Sequence, residues 1–398
     1  MENTNNISRV PKLRFPGFDG EWGEKKLGEI TEDVYQPQTI SKDFFSKKGY
    51  PVYGANGIIG YYDKYNHETD QILVTCRGSS CGTINLSKGK CWITGNAMVV
   101  NLDKVEEQYD KYFFYYMLEN ADLGHLITGS GQPQIVRTPL LNLTLFLPPT
   151  FEEQHKIASF LSEMDNQISA QSQKVESLKT HKRGLMQQLF PQPGETTPQL
   201  RFPGFTGKWE EKKLGGILIE RKESSIITEE LPQLSFTIAE GVIRPEDRKT
   251  NQRDFLMTDK DNKRFSVTRL HDIIYNPANV VYGAIHKNNL CDGVVSPIYK
   301  IFWTKENADF INYLLRRPEF ISLLASRAEG TVTKLKTLKA DAFLDMTVPF
   351  IVDPVEQKKI AECLSELDKN IEAELAKLES LKNHKKGLMQ QLFPEPIK

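Results

Sequence analysis

The residues nearest to a catalytic motif stand at positions 276–279, with the sequence NPAN. Enzymes that methylate the amino group of adenine carry an Asp or Asn, two prolines and then a Tyr or Phe, whose ring stacks on the flipped base. Here the second proline and the aromatic ring are both absent from the segment. The segment therefore predicts no methyl transfer by this chain.

Other reactive arrangements are also missing from the sequence. The glycine-rich stretches at 78–82 and 129–131 do not match the phosphate-binding pattern G-x-x-x-x-G-K-[ST], and no G-x-G-x-x-G follows a predicted strand. Tight turns explain both stretches. The seven histidines form no H-E-x-x-H motif, and no paired-carboxylate motif is present. We therefore expect a chain without catalysis and without a cofactor.

The five cysteines occur at spacings that match no zinc ribbon or zinc finger. Cys76, Cys81 and Cys91, together with His67, leave a metal site open as an alternative. Free thiols and no bound metal are the prediction.

Composition sets wider limits. A chain of 398 residues with 26% charged and 39% hydrophobic residues is long enough for two or more domains with proper cores. It has no apolar run that could span a bilayer and no apolar leader, so we expect a cytoplasmic protein without membrane contact. DNA-binding proteins usually show a basic excess. With a net charge of -1, any nucleic-acid role here needs local basic patches or partner proteins.

Two near-copies of one segment, residues 153–191 and 356–394, organise the chain. In both, apolar residues recur at alternating steps of three and four, which predicts a helix with one narrow buried seam. Each helix would be roughly 55 Å long at about 1.5 Å per residue. A capping residue three positions before a Glu predicts each start, and a proline predicts each end. The starts are at Thr150 and Asp353, the ends are at Pro191 and Pro394, and the seams are Leu161, Met164, Ile168, Val175, Leu178, Leu185 and Leu189, then Leu364, Leu367, Ile371, Leu378, Leu381, Leu388 and Leu392.

The whole chain is a tandem repeat of a two-part unit. The opening segment at 11–30, PKLRFPGFDGEWGEKKLGEI, returns at 198–217 as PQLRFPGFTGKWEEKKLGGI, and each copy leads to one long helix. Between them, 72–85 aligns without a gap on 273–286, which predicts a strand, a polar turn and a second strand. Both copies continue with a strand (93–100, 294–301), a helix (109–120, 307–320), a polar loop (128–134, 328–334) and a strand running into Pro148 or Pro349. One architecture is therefore used twice, with its loops rewritten.

These motifs resemble those of the specificity subunit of type I restriction-modification systems. The likeness rests on the LRFPGF-G-W-KLG opening, PVYGANGIIGYYDKY at 51–65, the TGSGQPQI loop, the EQ-KIA helix start and the duplicated LMQQLFP ending. It covers nearly the whole chain. The resemblance implies an α+β fold with two globular target recognition domains in pseudo two-fold tandem repeat, separated by a pair of long antiparallel coiled-coil helices. The expected segments are a lead-in (1–20), the first domain (21–150), the central helix (151–192), a linker (193–208), the second domain (209–351) and the final helix (352–398).

The resemblance also implies a function. In that family each domain reads one half of a bipartite site in double-stranded DNA, while the helices set the spacing and dock two copies of a methyltransferase subunit. The subunit itself is not catalytic. It directs adenine methylation and, with added motor-nuclease subunits, restriction. A coiled-coil adaptor that binds protein without a DNA target, and a self-contained enzyme, remain the alternatives.

Base reading needs side chains that match hydrogen-bond donors and acceptors on base edges. In the first domain we favour the polar turn and the polar loop, since a Gln can pair with adenine through two hydrogen bonds. In the second domain we favour the equivalent turn, the residues after it and the equivalent loop. An ordinary solvated turn position is the alternative for each residue. The candidates are Arg77, Ser79, Ser80, Gln132 and Gln134, then Asn276, Asn279, Tyr282, His286, Lys287 and Lys334.

Basic residues suggest two further kinds of contact. Those between 244 and 269 are candidates for phosphate binding, although interleaved acids allow an ordinary charged surface. A second set near the helix ends is duplicated in SLKTHKRGLMQQLFP and SLKNHKKGLMQQLFP, which agree at exposed positions as well as buried ones. Packing does not require identical surfaces, whereas binding one partner twice does, so we expect methyltransferase docking rather than a balance of helix dipoles. This set is Lys179, Lys182, Arg183, Lys382, Lys385 and Lys386.

Overall fold

The computed structural model describes residues 9–129, 131–192, 194–248, 263–328 and 337–394. These residues form two compact units, one from those up to 172 together with those from 376 onward, and the other from those between 173 and 375. Each unit therefore contains one globular domain, the start of one long helix and the end of the other.

The first unit combines short strands with helices. Its strands are β1 (Gly23–Lys26), β2 (Val34–Tyr35), β3 (Tyr50–Gly54), β4 (Gly57–Tyr62), β5 (Ile72–Thr75), β6 (Ile84–Leu86), β7 (Trp92–Ile93), β8 (Ala97–Val100) and β9 (Thr144–Leu147). Its helices are α1 (Leu27–Ile30), α2 (Lys111–Asn120), α3 (Arg137–Leu141) and the first part of α4 (Phe151–Leu189).

The second unit repeats this plan. Its helices are α5 (Ala308–Leu315), α6 (Pro318–Arg327), α7 (Ala340–Leu344) and the first part of α8 (Pro354–Leu392). Its strands are β10 (Glu210–Lys213), β11 (Leu218–Glu220), β12 (Ser224–Ser225), β13 (Ser235–Thr237), β14 (Gly241–Ile243), β15 (Phe265–Thr268), β16 (Ile273–Tyr275), β17 (Ile285–Lys287), β18 (Gly293–Val295), β19 (Lys300–Thr304) and β20 (Thr347–Phe350).

A four-stranded antiparallel sheet lies at the centre of each unit, in the order β2-β8-β5-β6 or β11-β19-β16-β17. Successive side chains of a strand point to opposite faces. In β5, Ile72 and Val74 therefore join the core formed with α2 and α4, while Leu73 packs with Tyr53 of β3 on the other face. The same alternation divides β16 between two clusters. Each central strand is buried on both sides, which explains its unbroken apolar sequence.

Two elements expected as single pieces are each divided. The strand expected at 93–100 is two strands, β7 and β8, because Gly95 and Asn96 form a turn between them. The one expected at 294–301 is divided between β18 and β19. The helix expected at 307–320 ends before Pro318, which starts α6, because a proline disfavours helical backbone in the residue before it.

The two long helices that the sequence periodicity predicts are both present. Both have 39 residues, and both end two residues before the prolines that were expected to stop them. Seam residues such as Leu161 and Leu364 are fully buried. In the second unit, Lys174 pairs with Glu374 and Lys182 pairs with Asp368, so partners run in opposite directions and the helices are antiparallel there. Within the described residues, neither these helices nor the shorter ones have an apolar stretch long enough to cross a membrane.

The helix starts differ from the expected capping boxes. Thr150 does accept a hydrogen bond from the Glu153 backbone N–H at 3.3 Å. The Glu153 carboxylate, however, does not reach back to the cap, because it accepts two hydrogen bonds of 2.7 Å from the Arg14 guanidinium. Glu356 accepts the same pair of 2.7 Å bonds from Arg201. Both carboxylates are 1% exposed, so each helix start is fixed by a buried ion pair.

The Gln after each of these Glu residues makes a second anchor. The side-chain carbonyl of Gln154 accepts a hydrogen bond from the Asp110 backbone N–H at 3.1 Å, and Asp110 caps α2. Gln357 does the same for Asn307, which caps α5. The repeated Glu-Gln pair thus ties each long helix to its own domain.

The helix ends are anchored by their repeated Phe residues. Phe393 packs against Trp22 and Phe113, with ring centroids 6.3 and 5.5 Å apart. Phe190 packs in the same way against Trp209 and Phe310 in the second unit. In addition, the backbone N–H groups of Leu13 and Leu200 each donate a 2.9 Å hydrogen bond to a carbonyl in the last turn of the helix, on Gln391 and Gln188. The LRFPGF segments therefore bridge the end of one helix to the start of the other.

We expect Arg14→Ala to lower the free energy of unfolding by about 2–4 kcal/mol, because it leaves the buried Glu153 carboxylate without its partner. Arg9→Ala is a matched control, since its pair with Glu24 is about half exposed, and it should cost less than about 1 kcal/mol. Urea unfolding of the full chain measures both. Equal losses for the two variants would contradict the anchoring role of Arg14.

Candidate nucleic-acid interface

The structure brings the two candidate segments of the first domain together. The Ile135 backbone N–H donates to the Cys76 carbonyl at 3.1 Å, and the Gly78 N–H donates to the Pro133 carbonyl at 3.1 Å. Arg77 and Gln134 consequently face each other as an isolated antiparallel bridge. The turn after β5 and the loop after α2 form one surface.

This surface carries the chemistry that base reading needs. Arg77, Ser79, Gln132 and Gln134 are exposed, and Ser80 is half-buried. The guanidinium supplies donors only, whereas the amide and hydroxyl groups can both donate and accept. A cavity of about 280 Å³ opens beside Arg77 and Gln134.

Two further residues of this cavity were not expected from the sequence, namely Gln36 and Arg137. The Gln36 amide donates to the Cys76 sulfur at 2.9 Å. Arg137 donates to the backbone carbonyls of Val34 and Glu32 at 2.6 and 2.7 Å, so it fixes the floor of the cavity. Both contacts join residues that are far apart in the sequence, so no local sequence pattern predicts them.

The second domain presents its turn in the same way. The Leu338 backbone N–H donates to the Pro277 carbonyl at 3.1 Å, in the place of the bond between Ile135 and Cys76. Tyr282 is 57% exposed, while Asn276 and Asn279 are half-buried. Lys334, the candidate in the adjoining loop, lies outside the described residues.

Burial removes His286 and Lys287 from this surface. They are 5% and 6% exposed, because both lie in β17 rather than in a loop. The His286 ring bonds to the Ile238 carbonyl at 2.8 Å, and burial lowers its pKa to about 4. The Lys287 ammonium pairs with Asp309. The sequence indicated that these residues form a strand, because 285–287 align with the segment that forms β6.

The basic stretch of the second domain is partly neutralised by its own acids. Arg269 pairs with Asp292 at 3.0 Å and with Glu223 at 2.8 Å, and these bonds raise its pKa. Arg264 donates to Ser224 at 3.0 Å. Among the described basic residues, Arg244 and Lys263 are exposed; Lys249 and Arg253 lie outside the described part.

The cysteines and His67 do not gather into a metal site. The two ring nitrogens of His67 bond to the Tyr35 hydroxyl and to the Asn66 side chain, at 2.8 and 2.7 Å. Cys91 is buried, which raises its pKa. In the part of the chain that the structure describes, no group of three or more His, Cys, Asp or Glu residues could hold a metal ion.

Two of the six duplicated cations, Lys182 and Lys385, form ion pairs with distant parts of the chain. Lys385 is 9% exposed, and its ammonium contacts Asp165 at 2.7 Å and Glu119 at 3.4 Å. It also lies 4.8 Å from the ring centre of Tyr116, whose hydroxyl donates to Asp165 at 2.7 Å. Burial raises the pKa of Glu119, and the nearby ammonium opposes that shift.

Lys182 makes the equivalent contacts in the second unit. Its ammonium pairs with Asp368 and lies 5.1 Å from the ring centre of Tyr313. The Tyr313 hydroxyl donates to Asp368 at 2.8 Å. The expectation that Lys182 and Lys385 dock a partner is therefore corrected, since their duplication serves equivalent sites inside the chain. Among the other four, Arg183, Lys382 and Lys386 are exposed, and the half-buried Lys179 pairs with Glu176 on its own helix.

We expect Lys385→Met to destabilise the chain by about 1–3 kcal/mol near neutral pH, because two partly buried carboxylates lose their cation. The loss should shrink as the pH falls, because protonation of Glu119, whose pKa burial raises, removes part of the uncompensated charge. Urea unfolding at several pH values measures this trend. The exposed neighbour Lys386→Met is the control, and a loss as large as that of Lys385→Met would contradict the internal role.

The family model and the relatives that match this chain describe the same kind of protein. Residues 19–180 match the family described as the type I restriction modification DNA specificity domain. The EcoprrI specificity subunit of Escherichia coli is 29% identical over 40% of this chain, and the match spans 40% of that relative. The MjaVIII specificity subunit of Methanocaldococcus jannaschii is 26% identical over 99% of this chain and 96% of its own length.

Solved structures confirm the fold class. The type I S subunit from M. genitalium covers 98% of this chain and 100% of its own, with a TM-score of 0.66 at 18% identity. A chain from a study of type I complex assembly and conformational transition has a TM-score of 0.51 at 14% identity, covering 97% of this chain and 100% of its own. The predicted α+β fold, with two globular domains and two long helices, is thus confirmed. The family match, the full-length relative and the shared fold all support the resemblance of this chain to type I restriction-modification specificity subunits.

Proposed function

We propose that this chain directs a type I restriction-modification complex to a bipartite DNA site without catalysing a reaction itself. The observation that carries the proposal is the repeated scaffold. The same backbone hydrogen bond, from Ile135 to Cys76 and from Leu338 to Pro277, holds two differently composed polar turns. Two equivalent supports with different side chains suit the reading of two different half-sites.

In the first domain, Arg77 and Gln134 read bases, with Ser79, Ser80 and Gln132 beside them. Arg matches the two acceptors of guanine, and Gln matches the donor and acceptor of adenine in the major groove. In the second domain, Asn276, Asn279 and Tyr282 take this role, with Lys334 as a further candidate. These side chains differ between the domains, so the half-sites differ too.

The long helices set the distance between the half-sites and dock two methyltransferase subunits, with motor-nuclease subunits joining for restriction. The described cations left for docking are Lys179, Arg183, Lys382 and Lys386. Their presence in both copies supports two equivalent binding surfaces. A similar chain comes from a study of type I complex assembly, which supports a role within a larger complex.

Arg77→Ala should relax the sequence requirement of one half-site and leave the other half unchanged, because each domain reads its own half. The expected loss of discrimination is about 1–3 kcal/mol at the affected base pair. Asn279→Ala is the matched variant, and it should relax the opposite half. Methylome sequencing of a host with the wild-type gene, with each variant and without the gene measures all four cases.

A split adenine-methylated motif that disappears with the gene supports the proposal. The adaptor alternative predicts an unchanged methylome and a complex whose DNA affinity lacks a steep dependence on salt concentration. If both substitutions relaxed the same half-site, the assignment of one domain to each half would be wrong.

A further inference from the structure

The β3–β4 hairpin of the first domain exposes apolar side chains at its tip. Ile58 and Ile59 are 53% and 47% exposed, and Tyr61 on the same strand is 41% exposed. Single exposed apolar residues are common on soluble proteins, but a cluster of them on one element marks a contact surface. The core of the first unit does not account for this cluster.

Close contacts support the backbone of the tip. Ile59 lies across Gly54, where even a Cβ atom would come within 2.8 Å of its side chain. Gly57 closes the turn with a φ of 94°, which favours glycine. Ile58 pairs with Tyr53 in the ladder. Ile59 therefore braces the tip, while Ile58 projects from a fixed backbone.

Hydrogen bonds attach this tip to the strand that leads into the candidate reading surface. The Ala55 carbonyl accepts from the Thr75 hydroxyl and from the Asn85 amide, the latter at 3.5 Å. Thr75 is the last residue of β5, two positions before Arg77. The hairpin tip and the Arg77 turn thus belong to one edge of the domain.

The charge at the open end of the hairpin suits a polyanion. Residues 42–65 contain four lysines and two aspartates, with no Glu, Arg or His, in a chain whose net charge is -1. Lys42, Lys47, Lys48 and Lys64 are all exposed. The ladder places Lys47, Lys48 and Lys64 beside the Tyr50–Tyr62 pair at the open end, while Gly54 and Gly57 pair at the tip. Cations at the open end match phosphates, and the apolar tip matches base edges.

We infer that the hairpin tip enters the major groove of the first half-site, where Ile58 contacts the C5 methyl group of a thymine. This inference rests on the proposed function, and it adds an apolar residue that contacts a base to the polar candidates. The major groove admits a two-stranded β-ribbon, and apolar side chains read the thymine methyl there. The lysines at the open end of the hairpin contact the flanking phosphates.

The test measures binding of the assembled complex to duplexes that contain its methylated motif, with thymines of the first half-site replaced by uracil. That half is the one relaxed by Arg77→Ala. In the wild type, removing the contacted methyl group should weaken binding about threefold. Ile58→Ala should weaken binding to the thymine duplex about fivefold to thirtyfold and abolish the difference between thymine and uracil. Ile298→Ala, an exposed residue of the second domain, is the control and should behave like the wild type.

The outcomes separate this inference from the proposed function. If the wild type does not distinguish its motif from a scrambled duplex, the proposed function fails. If it does so but responds equally to thymine and uracil, or if Ile58→Ala binds normally, the hairpin inference is overturned. Loss of methyltransferase subunits from purified Ile58→Ala complexes, at unchanged DNA affinity of the intact ones, would mark the tip as a protein contact and also overturn it.

Discussion

A buried ion pair, made twice, holds each long helix on its domain. Arg14 with Glu153 and Arg201 with Glu356 form two parallel hydrogen bonds each, in a site where the carboxylates are almost fully enclosed. Such a pair is weak evidence for net stability, because removing charges from water is costly. It is strong evidence for geometry, because the planar fork of Arg fits a carboxylate in one orientation. The direction in which each helix leaves its domain follows from it.

These intramolecular contacts also provide a second explanation for the repeated sequence. The nearly identical outer faces of the two helix ends first suggest one external partner bound twice. In the structure, much of this identity is used inside the chain, since Lys182 and Lys385, and Phe190 and Phe393, meet equivalent residues of the repeated domains. Duplication of a surface thus indicates duplication of whatever covers it, whether that is another protein or the chain itself.

The long helices could be predicted almost to the residue, because their period, their prolines and their repetition all agree. The turn at Arg77 and the loop at Gln134 could be predicted as separate segments, whereas their pairing depends on backbone bonds between distant residues. The burial of Lys385 could not be predicted, because Asp165 stands 220 positions earlier and a helical period alone places Lys385 outside the apolar seam. His286 was predictable in principle, since its segment aligns on a strand.

The anchoring of the helix ends also has a consequence for synthesis. The aromatic face formed by Trp22 and Phe113 is covered by Phe393, which the ribosome adds several hundred residues later. At roughly 5–20 residues per second, this face stays open for some tens of seconds after its own domain has been made. In the second unit, Phe190 is synthesised before Trp209 and Phe310. These two residues therefore have their packing partner as soon as they leave the ribosome. Two copies of one architecture therefore mature in different ways: the first needs residues 376–394, whereas the second is complete once residue 375 has been added.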